Sequence, residues 1–427
     1  MAKIDTVNRT VQVHRLIQAL LRDELSVEDR DRFRHEVHLL LAGAAPVDPD
    51  DESQWPRYAE LVPHVHPARV AKSQDSAVRK FALDVVRYLY QSGEHDEQSL
   101  RRHQEVFGDT HPLTLRVMHS LALDYGLISR YQDARDLDQR TYLQRSELTT
   151  GVSKADVLLS WNGLARAVRL CGEYAGARDF GQDAYEYGRT ELGAEHPRTL
   201  WAAKDLSIAL RRVGAYDEAL ELAREVHERC ERLFGKDNPD ALAAAMSLSN
   251  ILRTVAAADE GFAIAEEALG RYGTVYGDEH PYYHGCAGNL ALLRRERNDA
   301  AGARELDEAS LAGLDARLGR DHHYPLTVAT NLASDLAVLG DAHAARELGE
   351  DTLRRLRDLL GDDHPMTLGC AANLSIDLRK DGAEAEADVL AEDTLDRYYR
   401  TLGPDHPDVK VAQLGQRLDF DFDPPPI

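Results

Sequence analysis

Residues 361–368 read GDDHPMTL, and close copies of this phrase recur along the chain at a nearly constant interval. Each copy opens with a glycine, and the interval is 42 residues except for one step of 43. These glycines are Gly108, Gly151, Gly193, Gly235, Gly277, Gly319, Gly361 and Gly403. A period of about 20–50 residues is the signature of stacked structural repeats, so the sequence predicts a solenoid. Solenoids present extended surfaces to partners, which favours a binding function over catalysis.

Each repeat contains two stretches whose apolar residues follow helical spacing. In the unit that opens at Gly193, the first stretch begins at Pro197, which suits the first turn of a helix, and ends at Gly214. The second runs from about Asp217 to the residue before Gly235. Two such helices form an antiparallel hairpin that cannot bury its apolar face alone, so hairpins must stack on one another.

Two further columns of residues keep the same register. A small residue stands at one position of every second helix, where neighbouring helices are expected to approach closely: Ala134, Ala177, Ala219, Gly261, Ala303, Ala345 and Ala387. The first helices carry a leucine inside an (N/S/D)-L-(A/S) triplet, and this leucine is expected in the core: Leu121, Leu206, Leu248, Leu290, Leu332 and Leu374.

This combination of motifs resembles the 42-residue tetratricopeptide repeat (TPR) of kinesin light chains, over residues 66–418. The resemblance implies an all-α, right-handed superhelical solenoid of about eight TPR-type hairpins, with a degenerate first unit at 77–107. A capping helix at 405–417 would close it. Two departures predict local irregularity: His323 replaces the usual proline, and residues 256–259 lack the usual glycine turn.

Residues 1–65 lie outside the repeat pattern and are predicted to form a small, mainly helical segment. A strand at Thr10–Val13 precedes one helix at His14–Glu24 and another from Val27 to Ala42. These phrases resemble the end of the winged-helix module of STAND-type signalling ATPases. The whole chain is similar to the C-terminal half of actinobacterial FxSxx-COOH system tetratricopeptide repeat proteins, which belong to a ribosomally synthesised, modified-peptide system. No G-x-x-x-x-G-K-(S/T) motif is present, so we expect that this chain does not bind ATP. We interpret it as either a truncated form of such a protein or a divergent homologue without the nucleotide-binding domain.

Composition restricts the classes of partner. The formal net charge of −23 argues against general affinity for nucleic acids or anionic membranes. The N-terminal residues lack the apolar stretch of a signal peptide, which favours a cytoplasmic protein. Four widely separated cysteines are expected to be reduced core residues: Cys171, Cys230, Cys286 and Cys370.

The recurring histidines raise the question of a metal site. Each stands where a first helix begins, so we interpret them as helix caps rather than metal ligands. The segment His35–His38 does not match H-E-x-x-H, and no G-x-S-x-G motif exists. The sequence therefore predicts no enzyme activity, no cofactor and no metal.

A basic column appears five residues after the leucine of the triplet, a position expected to face the concave groove of a TPR superhelix; Gly126 and Ala337 interrupt it. It contains Arg169, Arg211, Arg253, Arg295 and Arg379, with Arg212 and Arg294 beside it. Asparagines form a parallel ladder: Asn289, Asn331 and Asn373, joined by Asn250 one turn later in its own repeat. The arginines could instead stabilise helix C-termini, and the asparagines could tie adjacent helices together.

We predict that these residues bind a peptide or protein segment that is acidic or ends in a free carboxylate. The alternative is the ligand-sensing, autoinhibitory half of a STAND ATPase switch, distinguished by a P-loop domain encoded upstream. The C-terminal DFDFDPPPI cannot continue a helix through its prolines, and we expect it to be extended and mobile.

Overall fold

The computed structural model describes residues 2–5, 10–13, 25–49, 51, 54–68, 70, 73, 75–92, 97, 100–101, 104, 108–148 and 151–425. It divides into two compact units, Met1–Gly93 and Glu94–Ile427. Within the described residues, no helix is both long enough and apolar enough to cross a bilayer.

The described part of the first unit contains an antiparallel pair of strands and three helices. Strand β1 (Ala2–Asp5) pairs with β2 (Thr10–Val13), which confirms the predicted strand. Helices α1 (Val27–Ala44), α2 (Trp55–Ala68) and α3 (Ser76–Ser92) follow. The stacked rings of Tyr58 and Tyr88, 5.2 Å apart, lie in the core between them. The helix predicted at His14–Glu24 lies outside the described residues.

The second unit is an array of seven complete helical hairpins over 112–401, as the repeats predict, followed by one short helix. The partner of α3 in the predicted first hairpin falls largely outside the described residues. The helices are α4 (Pro112–Leu127), α5 (Tyr131–Glu147), α6 (Lys154–Leu170), α7 (Tyr174–Glu191), α8 (Pro197–Arg212), α9 (Tyr216–Phe234), α10 (Pro239–Thr254), α11 (Ala258–Tyr276), α12 (Pro281–Glu296), α13 (Ala300–Leu318), α14 (His323–Val338), α15 (Ala342–Leu360), α16 (Pro365–Lys380), α17 (Glu384–Thr401) and α18 (Pro407–Gln413).

The glycine phrases end one hairpin and begin the next. Gly361 adopts a φ of 87°, which L-residues with a side chain rarely adopt, and the chain turns there into the next first helix. His364 then caps α16, because its Nδ1 accepts the backbone N–H of Met366 at 3.2 Å. Equivalent caps confirm the structural interpretation of the repeated histidines: His196, His280, His322 and His406.

The two departures from the repeat pattern have different outcomes. Helix α14 begins at His323 with an ordinary cap from His322, so the irregularity expected there is absent. At the missing glycine turn, Ala256 takes a φ of 60°, the left-handed conformation that glycine adopts in other repeats. The register of α10 and α11 is therefore kept at the expense of local backbone strain.

The column of small residues lies at the closest helix contacts, as predicted. All seven members are buried, and a side chain added at Gly261 would stand 3.1 Å from the carbonyl oxygen of Ser249. The leucine column is buried in the same layers. Both columns pack each first helix against its own partner and against the following hairpin.

Repeats about 194 residues apart in sequence also touch one another. The Nε2 atoms of His322, His364 and His406 donate to the carbonyl oxygens of Leu127 (2.6 Å), Leu170 (3.0 Å) and Arg212 (2.8 Å). Each of these acceptors lies at or next to the end of an earlier first helix. Because Nδ1 of the same rings accepts a backbone N–H, these histidines are neutral and carry their proton on Nε2. The starts of α14, α16 and α18 therefore contact the ends of α4, α6 and α8, respectively.

We predict that the burial of His322 and His364 makes stability depend on pH between about 6.5 and 4. Burial lowers the pKa values of His322 and His364 to about 4, while their bonds to backbone carbonyls oppose the shift. A base with a lowered folded pKa contributes stability above its unfolded value of about 6.5 and loses it as pH falls towards 4. The loss is on the order of 3 kcal/mol per histidine.

Chemical denaturation of the double variant His322→Asn/His364→Asn at several pH values tests this. Asn238 performs the same capping role at the start of α10, so asparagine keeps the cap without titrating. Relative to the variant, the native chain should lose stability as pH falls from 6.5 to 4. Parallel pH profiles would contradict the assignment.

Candidate functional site

The last described residues lie along the first helices of five consecutive hairpins. We call this surface, formed by α8, α10, α12, α14 and α16, the first-helix groove, and residues 418–425 the tail. The tail has no helical or strand hydrogen bonds of its own, yet Leu418, Phe420, Asp421 and Phe422 are buried. It runs antiparallel to the order of the repeats, because Leu418 contacts α16 and Pro424 contacts α8.

The asparagine ladder holds the tail by its backbone. The amide of Asn289 accepts the N–H of Phe422 at 2.8 Å and donates to its carbonyl oxygen at 2.7 Å. Asn331 makes the same pair of bonds to Phe420 (3.1 and 2.8 Å), and Asn373 to Leu418 (2.8 and 2.8 Å). Successive repeats therefore bind alternate tail residues, which matches the two-residue period of an extended chain.

Two more side chains continue this backbone recognition towards α8. Asn250 donates to the carbonyl oxygen of Phe422 at 3.1 Å. The ammonium group of Lys204 donates to the carbonyl oxygen of Pro424 at 2.8 Å and is buried. Proline lacks an N–H, so a carbonyl is the only backbone group it offers to the groove.

The intervening tail residues are aspartates, and they meet the arginine column. Arg211 contacts Asp421 and lies 2.8 Å from Asp423, and these side chains are almost fully buried. The other distances are 3.0 Å for Arg253–Asp421, 3.5 Å for Arg253–Asp419, 2.6 Å for Arg295–Asp419 and 3.2 Å for Arg212–Asp423. Such charge-assisted bonds in a buried setting are stronger than surface ion pairs.

Burial and the arginines act on the aspartates in opposite directions. Burial alone would raise the pKa of Asp421, but the guanidinium groups of Arg253 and Arg211 hold it below its usual value. The pKa of Asp423 is lowered further, since Arg211, Arg212 and Arg169 together outweigh its desolvation. Both carboxylates are therefore ionised in the docked tail at neutral pH.

The phenylalanines of the tail point to the opposite side and enter apolar pockets. The ring of Phe422 lies 4.8 Å from that of Tyr324, edge to face, and 5.8 Å from that of Tyr282. Gly285 forms the floor of this pocket, where a Cβ atom would stand 2.6 Å from the ring. The ring of Phe420 likewise occupies the space above Gly369 and packs in the core that includes Tyr398.

The predicted site residues fall into two groups. Contacts to the tail are made by Arg211, Arg212, Arg253, Arg295, Asn250, Asn289, Asn331 and Asn373, and Arg169 is 3.7 Å from Asp423. Arg294 and Arg379 were expected beside them but lie elsewhere. The side chain of Arg294 leaves α12 in a different direction from that of Arg295, and its guanidinium group lies 4.0 Å from the carboxylate of Asp299. Arg379 is half exposed and pairs with Asp388, because the first tail aspartate lies two repeats away.

Sequence reasoning missed the occupant of the groove. The tail is extended as predicted, but it is not the free segment expected, since the groove binds it from Leu418 to Pro424. The alternation in DFDFD is typical of an extended chain with two different faces, and its three aspartates complement the arginine column. Lys204 and Arg417 were also missed; Arg417 contacts Asp377 and lies 3.3 Å from the hydroxyl of Ser334.

Other chemistry in the described part of the chain is limited. There, no group of three or more His, Cys, Asp or Glu side chains is arranged to hold a metal ion. All four cysteines are unpaired, and Cys230, Cys286 and Cys370 are buried as predicted, whereas Cys171 is partly exposed. Burial raises the pKa of the Cys171 thiol to about 12, which makes it a poor nucleophile.

Comparison with solved structures finds the same kind of fold. The apo form of the quorum sensor NprR from B. thuringiensis is 16% identical, with a TM-score of 0.51, 87% of this chain covered and 99% of that chain. NprR has also been solved in complex with its cognate peptide NprX, at 11% identity, a TM-score of 0.48 and coverage of 71% and 89%. At these identities the similarity concerns the fold alone.

Two further solved structures are similar to this chain. A putative kinesin light chain from Podosopora anserina is 22% identical, with a TM-score of 0.39 and coverage of 47% of this chain and 95% of that chain. A STAND protein with a tetratricopeptide repeat sensor, PH0952 from Pyrococcus horikoshii, is 13% identical, with a TM-score of 0.45 and coverage of 93% and 56%. No curated protein matches this chain in sequence.

Family models identify the repeat directly. One tetratricopeptide repeat model matches residues 89–142 and 156–232, and another matches 241–282, 326–365 and 367–408. Together they cover more than half of the chain. The kinesin light chain-like period, the hairpin array and these matches agree, and the chain belongs to the tetratricopeptide repeat family.

Proposed function

We propose that this protein is a non-catalytic scaffold that binds an extended peptide in its first-helix groove. The paired hydrogen bonds from three successive asparagines to the tail backbone carry this proposal. An asparagine amide offers one donor and one acceptor, so it satisfies both backbone groups of a residue in an extended chain. Three such side chains at the repeat interval form a template for a peptide backbone.

On this proposal the tail is an intramolecular ligand, and an external peptide must displace it. A tethered segment has an effective concentration on the order of millimolar. An external copy of the tail therefore competes at a disadvantage, and its apparent dissociation constant on the native chain should approach that concentration. A chain whose tail cannot dock should bind the same peptide with its intrinsic affinity.

The test compares the native chain with a full-length variant in which residues 418–427 are reordered from LDFDFDPPPI to PFPLPFDDDI, so that prolines without an N–H stand at the three positions that the asparagines bind. A fluorescent LDFDFDPPPI peptide is titrated against both and followed by anisotropy. We expect at least about 100-fold tighter binding to the reordered-tail variant, because it lacks the tethered competitor. The PFPLPFDDDI peptide is the matched control and should bind neither, because it lacks the three N–H groups that the asparagines accept. Weak binding of both peptides to the variant would refute the proposal.

The resemblance to FxSxx-COOH system proteins supports a narrower ligand, a short ribosomally made peptide with a free carboxylate. A peptide ending in a carboxylate would place that charge among the same arginines. The alternative function, the sensing half of a STAND ATPase switch, is supported by the N-terminal phrases of the sequence. A nucleotide-binding domain encoded upstream of residue 1 would favour the switch, and its absence from the gene would favour the independent scaffold.

A further inference from the structure

We infer that the groove selects its partner by side chain as well as by backbone: it takes a peptide that alternates aromatic and acidic residues over at least five positions. This inference rests on the proposed function and specifies its ligand class. The tail, with Phe420 and Phe422 between three aspartates, is the template on which it is based.

The alternation follows from the spacing of the asparagines. Successive asparagines bind every second residue of the tail. The bound residues therefore all direct their side chains to one side, and the residues between them direct theirs to the other. A shift by one residue would exchange the two sets of side chains. Because the asparagine ladder fixes which residues face each wall of the groove, a bound peptide must alternate between two kinds of side chain.

One wall accepts rings because glycine removes the obstacle to them. A methyl group at Gly285 would stand 2.6–2.8 Å from three atoms of the Phe422 ring, closer than real Cβ contacts. A methyl group at Gly369 would likewise collide with the ring of Phe420. Gly369 occupies the position equivalent to Gly285, two hairpins later in the chain. Both glycines lie inside helices, where alanine forms helix more readily than glycine. Neither adopts a positive φ, so the room for a ring is the advantage that offsets this loss.

The other wall accepts carboxylates because four arginines pair with them: Arg211, Arg212, Arg253 and Arg295. Arg253 bridges Asp419 and Asp421, and Arg295 reaches Asp419 at 2.6 Å. A neutral residue facing this wall would leave buried guanidinium groups without a counter-charge, which is costly. In a chain with a formal net charge of −23, this wall is also a local exception that attracts acidic segments.

The first experiment places a methyl group in each pocket of the full-length chain. Gly285→Ala and Gly369→Ala should each increase hydrogen exchange of the tail amides at least 10-fold, measured by mass spectrometry on a C-terminal peptide. Combining Gly285→Ala with Phe422→Ala should restore part of the protection that Gly285→Ala removes. The matched control is Gly270→Ala in α11, where a methyl group would meet nothing within 4 Å and exchange should not change.

The second experiment titrates peptides against the full-length reordered-tail variant. Relative to LDFDFDPPPI, the LDADADPPPI peptide should bind at least 100-fold more weakly, since burial of one ring contributes about 10- to 100-fold. The LNFNFNPPPI peptide should also lose at least 100-fold. Equal binding of the first and second peptides would overturn the inference while leaving the backbone template intact, because the asparagines read both alike. No binding of any peptide would instead overturn the proposed function. Unchanged tail exchange in both glycine variants would overturn the ring pockets directly.

Discussion

Replacing Asn289, Asn331 and Asn373 together with alanine should release the tail from the groove and reduce peptide binding by about 1,000-fold or more. Each substitution leaves one backbone N–H of the tail without a partner in a buried setting. The changes at Asn331 and Asn373 also remove the bond to a tail C=O, whereas the C=O of Phe422 keeps its bond from Asn250. An unsatisfied buried group costs about 1–3 kcal/mol, so three repeats exceed the stabilisation that the remaining contacts supply. The amides of Leu418, Phe420 and Phe422 should then exchange at rates near those of an unfolded chain.

Hydrogen exchange of the native chain and the triple variant provides the measurement, with circular dichroism to confirm that the helices remain. Asn162→Ala is the matched control, because Asn162 is equally buried but donates to Asp205 at 2.9 Å rather than to the tail. Persistence of slow exchange at the three tail amides in the triple variant would show that the ladder does not hold the backbone.

Arg211→Ala should weaken docking of the tail by about 3–5 kcal/mol, the cost of leaving a buried charge without its partner. Arg211 contacts both Asp421 and Asp423, and all three side chains are buried. Arg253 also pairs with two carboxylates, but its partner Asp419 is partly exposed, whereas both partners of Arg211 are buried. The effect should therefore exceed that of Arg253→Ala. Peptide affinity on a reordered-tail background carrying Arg211→Ala measures the same loss without the tether.

The dependence of this effect on pH has a definite sign. Docking lowers the pKa values of Asp421 and Asp423, so in the native chain docking is fully favourable above their ordinary value of about 3.9 and weakens as pH falls below it. In Arg211→Ala the remaining arginines offset the desolvation of Asp421 and Asp423 less completely, so these carboxyl groups become protonated at a higher pH than in the native chain. The loss of docking free energy caused by the substitution should therefore shrink as pH approaches 4. Arg379→Ala, which removes a half-exposed pair with Asp388, is the control and should change neither property. A penalty that grows with acidification would contradict the ion-pair assignment.

The fold was predictable because its determinants are local and repeated. The 42-residue period, the prolines at the first turn of helices such as α16 and the small residue at Ala303 each act within one hairpin or between neighbours. Repetition lets each signal be read several times, so departures such as Ala256 do not obscure it. The contacts of His322 with Leu127 were not predictable, since they depend on how far the solenoid turns in about 194 residues.

The candidate site consists of the groove and the tail bound in it, and only the groove residues were predictable from the sequence. The arginine column and the asparagine ladder follow from the repeat interval, which places equivalent side chains in line. Arg379 shows where that reasoning fails, because equivalence in the repeat does not decide where the tail begins and ends. The occupant escaped prediction because Asp423 lies 212 residues from Arg211 in the sequence.

The sequence by itself determined the helical hairpins, their stacking and the line of amide and guanidinium groups, because these follow from short-range spacing repeated along the chain. Only the tertiary structure decided that the C-terminal DFDFD lies in that line, with its aspartates on Arg211, Arg253 and Arg295. The direction of the chain after α18 and the width of the groove set that contact. Both are sums of small rotations between repeats, which single positions in the sequence do not encode.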